Sequence, residues 1–214
     1  SYTAQAYIIT DLDDNQITAF HPGAMNWAHE TEVVTDKGVK IGLVSPNGRE
    51  GMVKHAQQFA DAGIPFIFDP GQGLPMFSGE ELLDFIDKAK WVAVNDYESQ
   101  LLKDRTGLTE AQIAERVEAL IVTMGREGSR ILEHGRQIDI PMVAPRRVQD
   151  PTGCGDAYRA GIVYGLLNDL DWDTSGRIAS LMGSIKIGHH GTQNHHFSFD
   201  EFRELYKEAF DSEL

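Results

Sequence analysis

A chain of 214 residues that is 41% hydrophobic has enough apolar side chain for a packed globular core, which excludes a disordered chain. No apolar run reaches the length of about eighteen residues that a membrane helix needs, and Ser1-Tyr2-Thr3-Ala4-Gln5 lacks the basic start and apolar stretch of a secretion signal. The formal net charge of −14 opposes nucleic acid and anionic membrane as partners, because its long-range field repels a polyanion. Small molecules are the expected partners. A polyphosphate among them must be met locally, by backbone N–H groups, a helix end or a metal ion. The single cysteine, Cys154, rules out an internal disulfide framework and suits the reducing cytoplasm.

In chain order, Tyr2–Thr10 and Gln16–Phe20 are β-like runs separated by the turn formers Asp11-Leu12-Asp13-Asp14-Asn15, the pattern of a hairpin. From Val39 to about Leu132, short β-branched or aromatic runs alternate with amphipathic segments, which predicts βαβ units around a parallel sheet. Strands are expected at Val39–Val44, Ile64–Asp69, Trp91–Val94 and Leu120–Met124. Helices are expected near Gly48–Ala62, Gly79–Ala89, Tyr97–Asp104 and Glu110–Ala119. Capping boxes open two of these, Ser78 with Glu81 and Thr109 with Gln112, and Ser198 with Glu201 marks a further helix. After a β-rich patch at Ser129–Val143, Gly155–Asn168 is apolar on nearly every side, which predicts a helix buried within the fold. These elements indicate an α/β fold around a largely parallel sheet, preceded by a small hairpin.

The chemistry concentrates at Asp150-Pro151-Thr152-Gly153-Cys154-Gly155-Asp156, where two glycines and two carboxylates surround the start of that last helix. Glycines there let backbone N–H groups converge on an anion, which the positive end of the helix dipole also favours. Asp156, in the first helical turn, can take a proton from an attacking hydroxyl while the N–H groups hold a transferring phosphoryl group. Asp150 competes for the base role but precedes the turn. A helix cap with a dipole-complementing Asp is the plain structural alternative.

Two further motifs follow predicted strands, at the carboxyl ends where open parallel sheets bind ligands. Asn95 and Glu98 can organise Mg²⁺ and its waters, or simply cap a helix. Thr123, Gly125 and Gly128 offer a hydroxyl and close backbone approach to a phosphate, or simply form a turn. An Asn-x-x-Glu, a Thr-x-Gly-x-x-Gly and the Gly-rich helix start, in that order and continuing Ala157-Tyr158-Arg159-Ala160-Gly161, resemble the ribokinase-like PfkB family of carbohydrate and nucleoside kinases. Asp69-Pro70-Gly71 and Lys186-Ile187-Gly188-His189-His190-Gly191-Thr192-Gln193 are similar to it as well.

The resemblance implies a ribokinase-like α/β/α fold, with residues 1–38 as lid hairpin and connection and residues 39–214 as the nucleotide-binding catalytic domain. It implies Asp156 as catalytic base and Gly153, Cys154 and Gly155 as the anion hole. Thr123, Gly125, Gly128 and Asn95 would serve the nucleotide, and Glu98 would hold Mg²⁺ through water. ATP is the implied donor, with a monovalent-cation requirement left open. Within the family, Gln5–Asp11 and Asn15–Met25 look most like bacterial adenosine kinases and broader nucleoside kinases. The expected reaction is therefore phosphorylation of an adenosine-, inosine- or guanosine-type nucleoside at its 5′-hydroxyl, with two copies pairing through the lid. A sugar or sugar-phosphate kinase is the alternative of the same chemistry, and a non-catalytic nucleotide-binding module that of another class.

The family's front segment, which holds a Gly-Asp substrate motif, has no counterpart here. The expectation is a fragment or an unusual acceptor site, with an exposed sheet edge or apolar face. Four side features carry less weight. Cys154 at a helix N-terminus invites a lowered pKa, against a plain buried thiol. The cluster His189, His190, His195 and His196 invites a metal, against the nucleotide-base side of the family. Lys186 and Ser180 would flank an adenine, and Arg146 and Arg147 would reach phosphate or simply be solvated.

Overall fold

The computed structural model describes residues 1–10, 16–35 and 37–214. The predicted turn Asp11-Leu12-Asp13-Asp14-Asn15 lies outside the described residues. Its flanking strands β1 (Gln5–Thr10) and β2 (Gln16–His21) pair antiparallel with Gln5 opposite His21, as a two-stranded sheet separate from the main one. Tyr7, Ile9, Ile17 and Phe20 on it are exposed.

The main sheet has six strands in sequence order: β3 (Gly42–Val44), β4 (Phe66–Phe68), β5 (Trp91–Asn95), β6 (Ala119–Thr123), β7 (Ser129–Glu133) and β8 (Arg136–Ile140). The first four are parallel, and β6–β7 and β7–β8 are antiparallel. The β-rich patch thus resolves into a hairpin. Its two-residue loop, His134-Gly135, has both φ angles positive, at 46° and 79°, the turn geometry that matches the twist of the flanking strands.

Alternation along the central strands feeds two cores. Phe66, Phe68, Val92, Val94, Leu120 and Val122 point into one, with α1 (Arg49–Asp61), α2 (Gly79–Lys88), α3 (Asp96–Thr106) and α4 (Glu110–Ala114). Ile67, Trp91, Ala93, Ala119 and Ile121 point into the other, under α5 (Cys154–Leu167) and α6 (Trp172–Ile187). Burial on both faces explains why these strands read as near-continuous apolar runs. Each fully buried Phe, Ile or Leu contributes roughly 1.5–3 kcal/mol of transfer free energy. Helix α7 (Phe199–Phe210) packs through Phe202 and Tyr206 on Ile178 and Leu181 of α6.

The three-layer α/β architecture is as expected, with local differences. Strand β3 is shorter than Val39–Val44 because it is an edge, paired among the described residues only with β4, and its Leu43 is 43% exposed. Helix α4 stops at Ala114 instead of Ala119, since Ala119 already belongs to β6. Helix α5 is not enclosed. Gly161 and Gly165 let it pack closely on α6, where a side chain at Gly161 would meet Ala179 and one at Gly165 would meet Ser175. Its opposite stripe, Asp156, Ala160, Tyr164 and Leu167, is exposed.

Candidate active site

The carboxyl ends of the parallel strands lead into Ser45, Asp69, Asn95 and Thr123, and Asn95 and Thr123 are direct register partners. Asn95 caps α3: its Oδ1 accepts from the Glu98 amide at 2.7 Å, and Glu98 Oε2 accepts from the Asn95 amide at 2.8 Å. The cap and the metal-organising role are compatible, because the box uses Glu98 Oε2 and nothing among the described residues bonds Oε1. Thr123 Oγ1 lies 3.5 Å from the Val94 carbonyl. Gly125 has φ 55° with open space beside it, whereas a side chain at Gly128 would strike the Ile140 carbonyl. Gly128 is therefore required by the β7–β8 hairpin, and Gly125 is the position left open to a ligand.

Gly153 is the N-cap of α5, with φ 87° and Thr192 packed where a side chain would go. That left-handed residue turns the chain so that the amides of Gly153, Gly155 and Asp156 have no protein acceptor among the described residues. The Cys154 amide instead donates to the Pro151 carbonyl at 3.1 Å. The two carboxylates of the motif separate cleanly. Asp150 Oδ1 accepts from the Thr152 amide at 2.9 Å and Oδ2 from the Gly191 amide at 2.8 Å. Those bonds hold its carboxyl down at about 2. Asp156 is exposed and accepts no hydrogen bond among the described residues, which leaves it free to meet a hydroxyl.

Two residues given no role from sequence complete the cluster. Asp69, at the end of β4, is buried and held by Arg159, whose Nη2 donates to Oδ1 at 2.6 Å and whose Nε faces Oδ2. Burial raises the Asp69 carboxyl to about 6; Arg159 opposes this, and the charges of Glu98 and Asp156 reinforce it. Arg159 also overhangs the anion hole, since a side chain at Gly155 would lie 2.6 Å from its Nη1. The available signal was an Asp ending a predicted strand and an Arg one helical turn after Asp156. Nothing local connects positions 90 residues apart.

The side features resolve differently. Burial pushes the Cys154 thiol up, with Lys186 opposing, the direction of a plain buried thiol and not of the lowered value that a helix N-terminus invites. His189 and His195 stack obliquely, 6.5 Å apart, and no group of three or more His, Cys, Asp or Glu side chains is placed to hold a metal among the described residues. Ser180 Oγ donates to the Pro141 carbonyl at 2.8 Å and accepts from the Val143 amide, and Lys186 is fully buried. Arg147 donates to the Gly188 carbonyl and Arg146 pairs with Glu208. A groove of about 890 Å³ between residues 141–147, α6 and α7 includes Arg147, Gly188 and His189 but none of the reacting groups.

The oxygen-only donors Asn95 and Glu98 suit Mg²⁺, which keeps several waters and takes one or two carboxylates together with substrate phosphates.

Residues 2–197 match the family described as pfkB family carbohydrate kinase. The chain is 33% identical over 199 residues to a nucleoside kinase of Methanocaldococcus jannaschii, covering 93% of this chain and 65% of that protein. The Burkholderia thailandensis nucleoside kinase, solved in complex with inosine, matches all of this chain and 70% of its own at 50% identity, with a TM-score of 0.97. Its complex with ADP-inosine gives a TM-score of 0.95. A Thermotoga maritima ribokinase, at 20% identity and a TM-score of 0.79, shares the fold. The fold is thus ribokinase-like. No helix among the described residues is long and apolar enough to cross a membrane.

Proposed function

The chain belongs to the pfkB family of carbohydrate kinases, and we propose that it transfers the γ-phosphoryl group of ATP to the 5′-hydroxyl of an adenosine-, inosine- or guanosine-type nucleoside in the cytoplasm. One observation carries this reading: an unencumbered Asp156 stands beside unpaired amides at the start of α5, in a chain 50% identical to a nucleoside kinase.

Asp156 takes the proton of the 5′-hydroxyl as its oxygen bonds to the γ-phosphorus and the bond to the β–γ bridging oxygen breaks, giving a nucleoside 5′-monophosphate and ADP. The amides of Gly153, Gly155 and Asp156, with Cys154 completing the turn, hold the charge on the transferring group. Thr123 and Gly125 meet the nucleotide phosphates, with Asn95 beside them, and Gly128 shapes the turn that presents them. Glu98 would hold Mg²⁺ through water, and the ion would neutralise β- and γ-phosphate charge that the acidic surface cannot meet. The hairpin within residues 1–38 covers the catalytic unit 39–214 and excludes water, and two copies pair through its exposed apolar strands.

The test is ADP release from Mg²⁺-ATP with adenosine, inosine, guanosine, ribose or fructose 6-phosphate as acceptor. Nucleosides alone should stimulate it. Stimulation only by ribose or fructose 6-phosphate would move the acceptor to sugars, and ATP binding without stimulation by any acceptor would reject catalysis.

A further inference from the structure

Lys186, in the last turn of α6, is fully buried, yet no carboxylate lies within ion-pair distance of it among the described residues. Its ammonium donates to two main-chain oxygens, Asp150 at 2.6 Å and His189 at 3.3 Å. Burying an ammonium is costly unless ligands replace its water, and here the ligands come from the two loops that frame the anion hole. The same loops are joined elsewhere. The amides of Gln149 and Asp150 donate to the Ile187 carbonyl, and Asp150 Oδ2 accepts from the Gly191 amide. The α-carbon of Gly153 packs on Thr192. The Lys186 charge is also felt at Cys154, inside the hole.

We propose that Lys186 is a positioning residue for phosphoryl transfer: a fixed internal cation that binds the Asp150 and His189 carbonyls and holds residues 150–155 in the form that presents the anion-hole amides. The proposal rests on the kinase reading of that loop. Removing the ammonium frees two partly buried carbonyls together, so residues 150–155 and 189–192 loosen as one unit while the sheet stays intact. The amides of Gly153 and Gly155 then meet the phosphoryl group poorly, and turnover falls more than nucleotide affinity.

Two variants test this. Lys186→Met keeps the stem and removes the charge, and Lys186→Ala leaves room for a small cation. By native-state hydrogen exchange, peptides covering 150–155 and 189–192 in Lys186→Met should exchange about tenfold faster, with β5 and β6 unchanged. The kcat for nucleoside-dependent ADP release should fall about tenfold or more in both variants. In Lys186→Ala, ammonium or methylammonium chloride should restore part of it, and tetramethylammonium chloride at equal ionic strength should not. A purely packing role would show no such rescue.

Unchanged exchange in both loops, or kcat within about twofold of the parent, overturns the proposal. Should Lys186→Ala not fold, Lys186→Met carries both measurements. A parent protein without acceptor-dependent ADP release rejects the kinase reading and the catalytic part of the proposal with it. The exchange measurement alone then decides whether Lys186 holds the loops.

Discussion

Arg159 grips the buried carboxylate of Asp69 with two guanidinium nitrogens and so ties the helix that carries Asp156 to the end of β4. The Asp69 carboxyl titrates near 6 because burial outweighs its partner. A folded-state pKa above the ordinary 3.8 means that the folded protein binds this proton more tightly than the unfolded chain does. The resulting stabilisation is full below about pH 4 and is lost as pH rises through 6. Urea denaturation should show stability falling across that window, and Asp69→Asn should flatten the slope. An identical slope in parent and variant would remove the assignment to Asp69.

Breaking the pair from the other side strands a buried charge. Arg159→Met should destabilise the fold by about 3–5 kcal/mol, the range for one partner removed from a buried ion pair. It should also raise the Asp69 pKa further. Adding Asp69→Asn to Arg159→Met should recover part of the loss in urea denaturation.

Asp156→Asn tests the base. Turnover should fall by about 10²–10⁴, the usual range for general base catalysis, with ATP affinity by calorimetry nearly intact. Equal losses in both would point to a structural role for the carboxylate.

The glycines of the site should divide by their surroundings. Gly153→Ala forces a side chain into the left-handed region against Thr192, at about 1–2 kcal/mol for the backbone alone, and should lower kcat as well as stability. Gly125→Ala meets open space, so its effect on urea denaturation should be the smaller of the two.

The raised Cys154 thiol predicts slow alkylation. At pH 8, iodoacetamide should modify it more slowly than free glutathione, as followed by intact mass. Faster modification would mean that the helix N-terminus outweighs burial at this thiol.

Much of this molecule could be read from its sequence where the signal is local. Ser78, Thr109 and Ser198 cap their helices with side chains three residues from their partners, and all three boxes are present. The parallel strands were visible because burial on both faces makes them apolar throughout. Helix α6 was not bounded from the sequence, because it meets α5 through Ser175 and Ala179 and the sheet at Gly176, small residues with no hydrophobic rhythm. The pairing of Asp69 with Arg159 and the burial of Lys186 are products of tertiary folding, and no spacing announces them. The exposed stripe of α5 was missed for the opposite reason. Its Tyr164 and Leu167 are apolar yet face outward, so composition around the helix overstated its burial.

The two cores also set an order of assembly. The core beneath α1 to α4 draws its buried residues from Val44 to Val122 alone, so it can close while everything after Thr123 is still being synthesised. The other core needs Tyr158, Ile162 and Ala179 from α5 and α6. Asn95, Glu98 and Thr123 are therefore in place on a half-finished sheet, and Asp156 reaches them only when the last layer docks. In a refolding experiment, recovery of turnover would report that final docking event, later than the recovery of sheet structure.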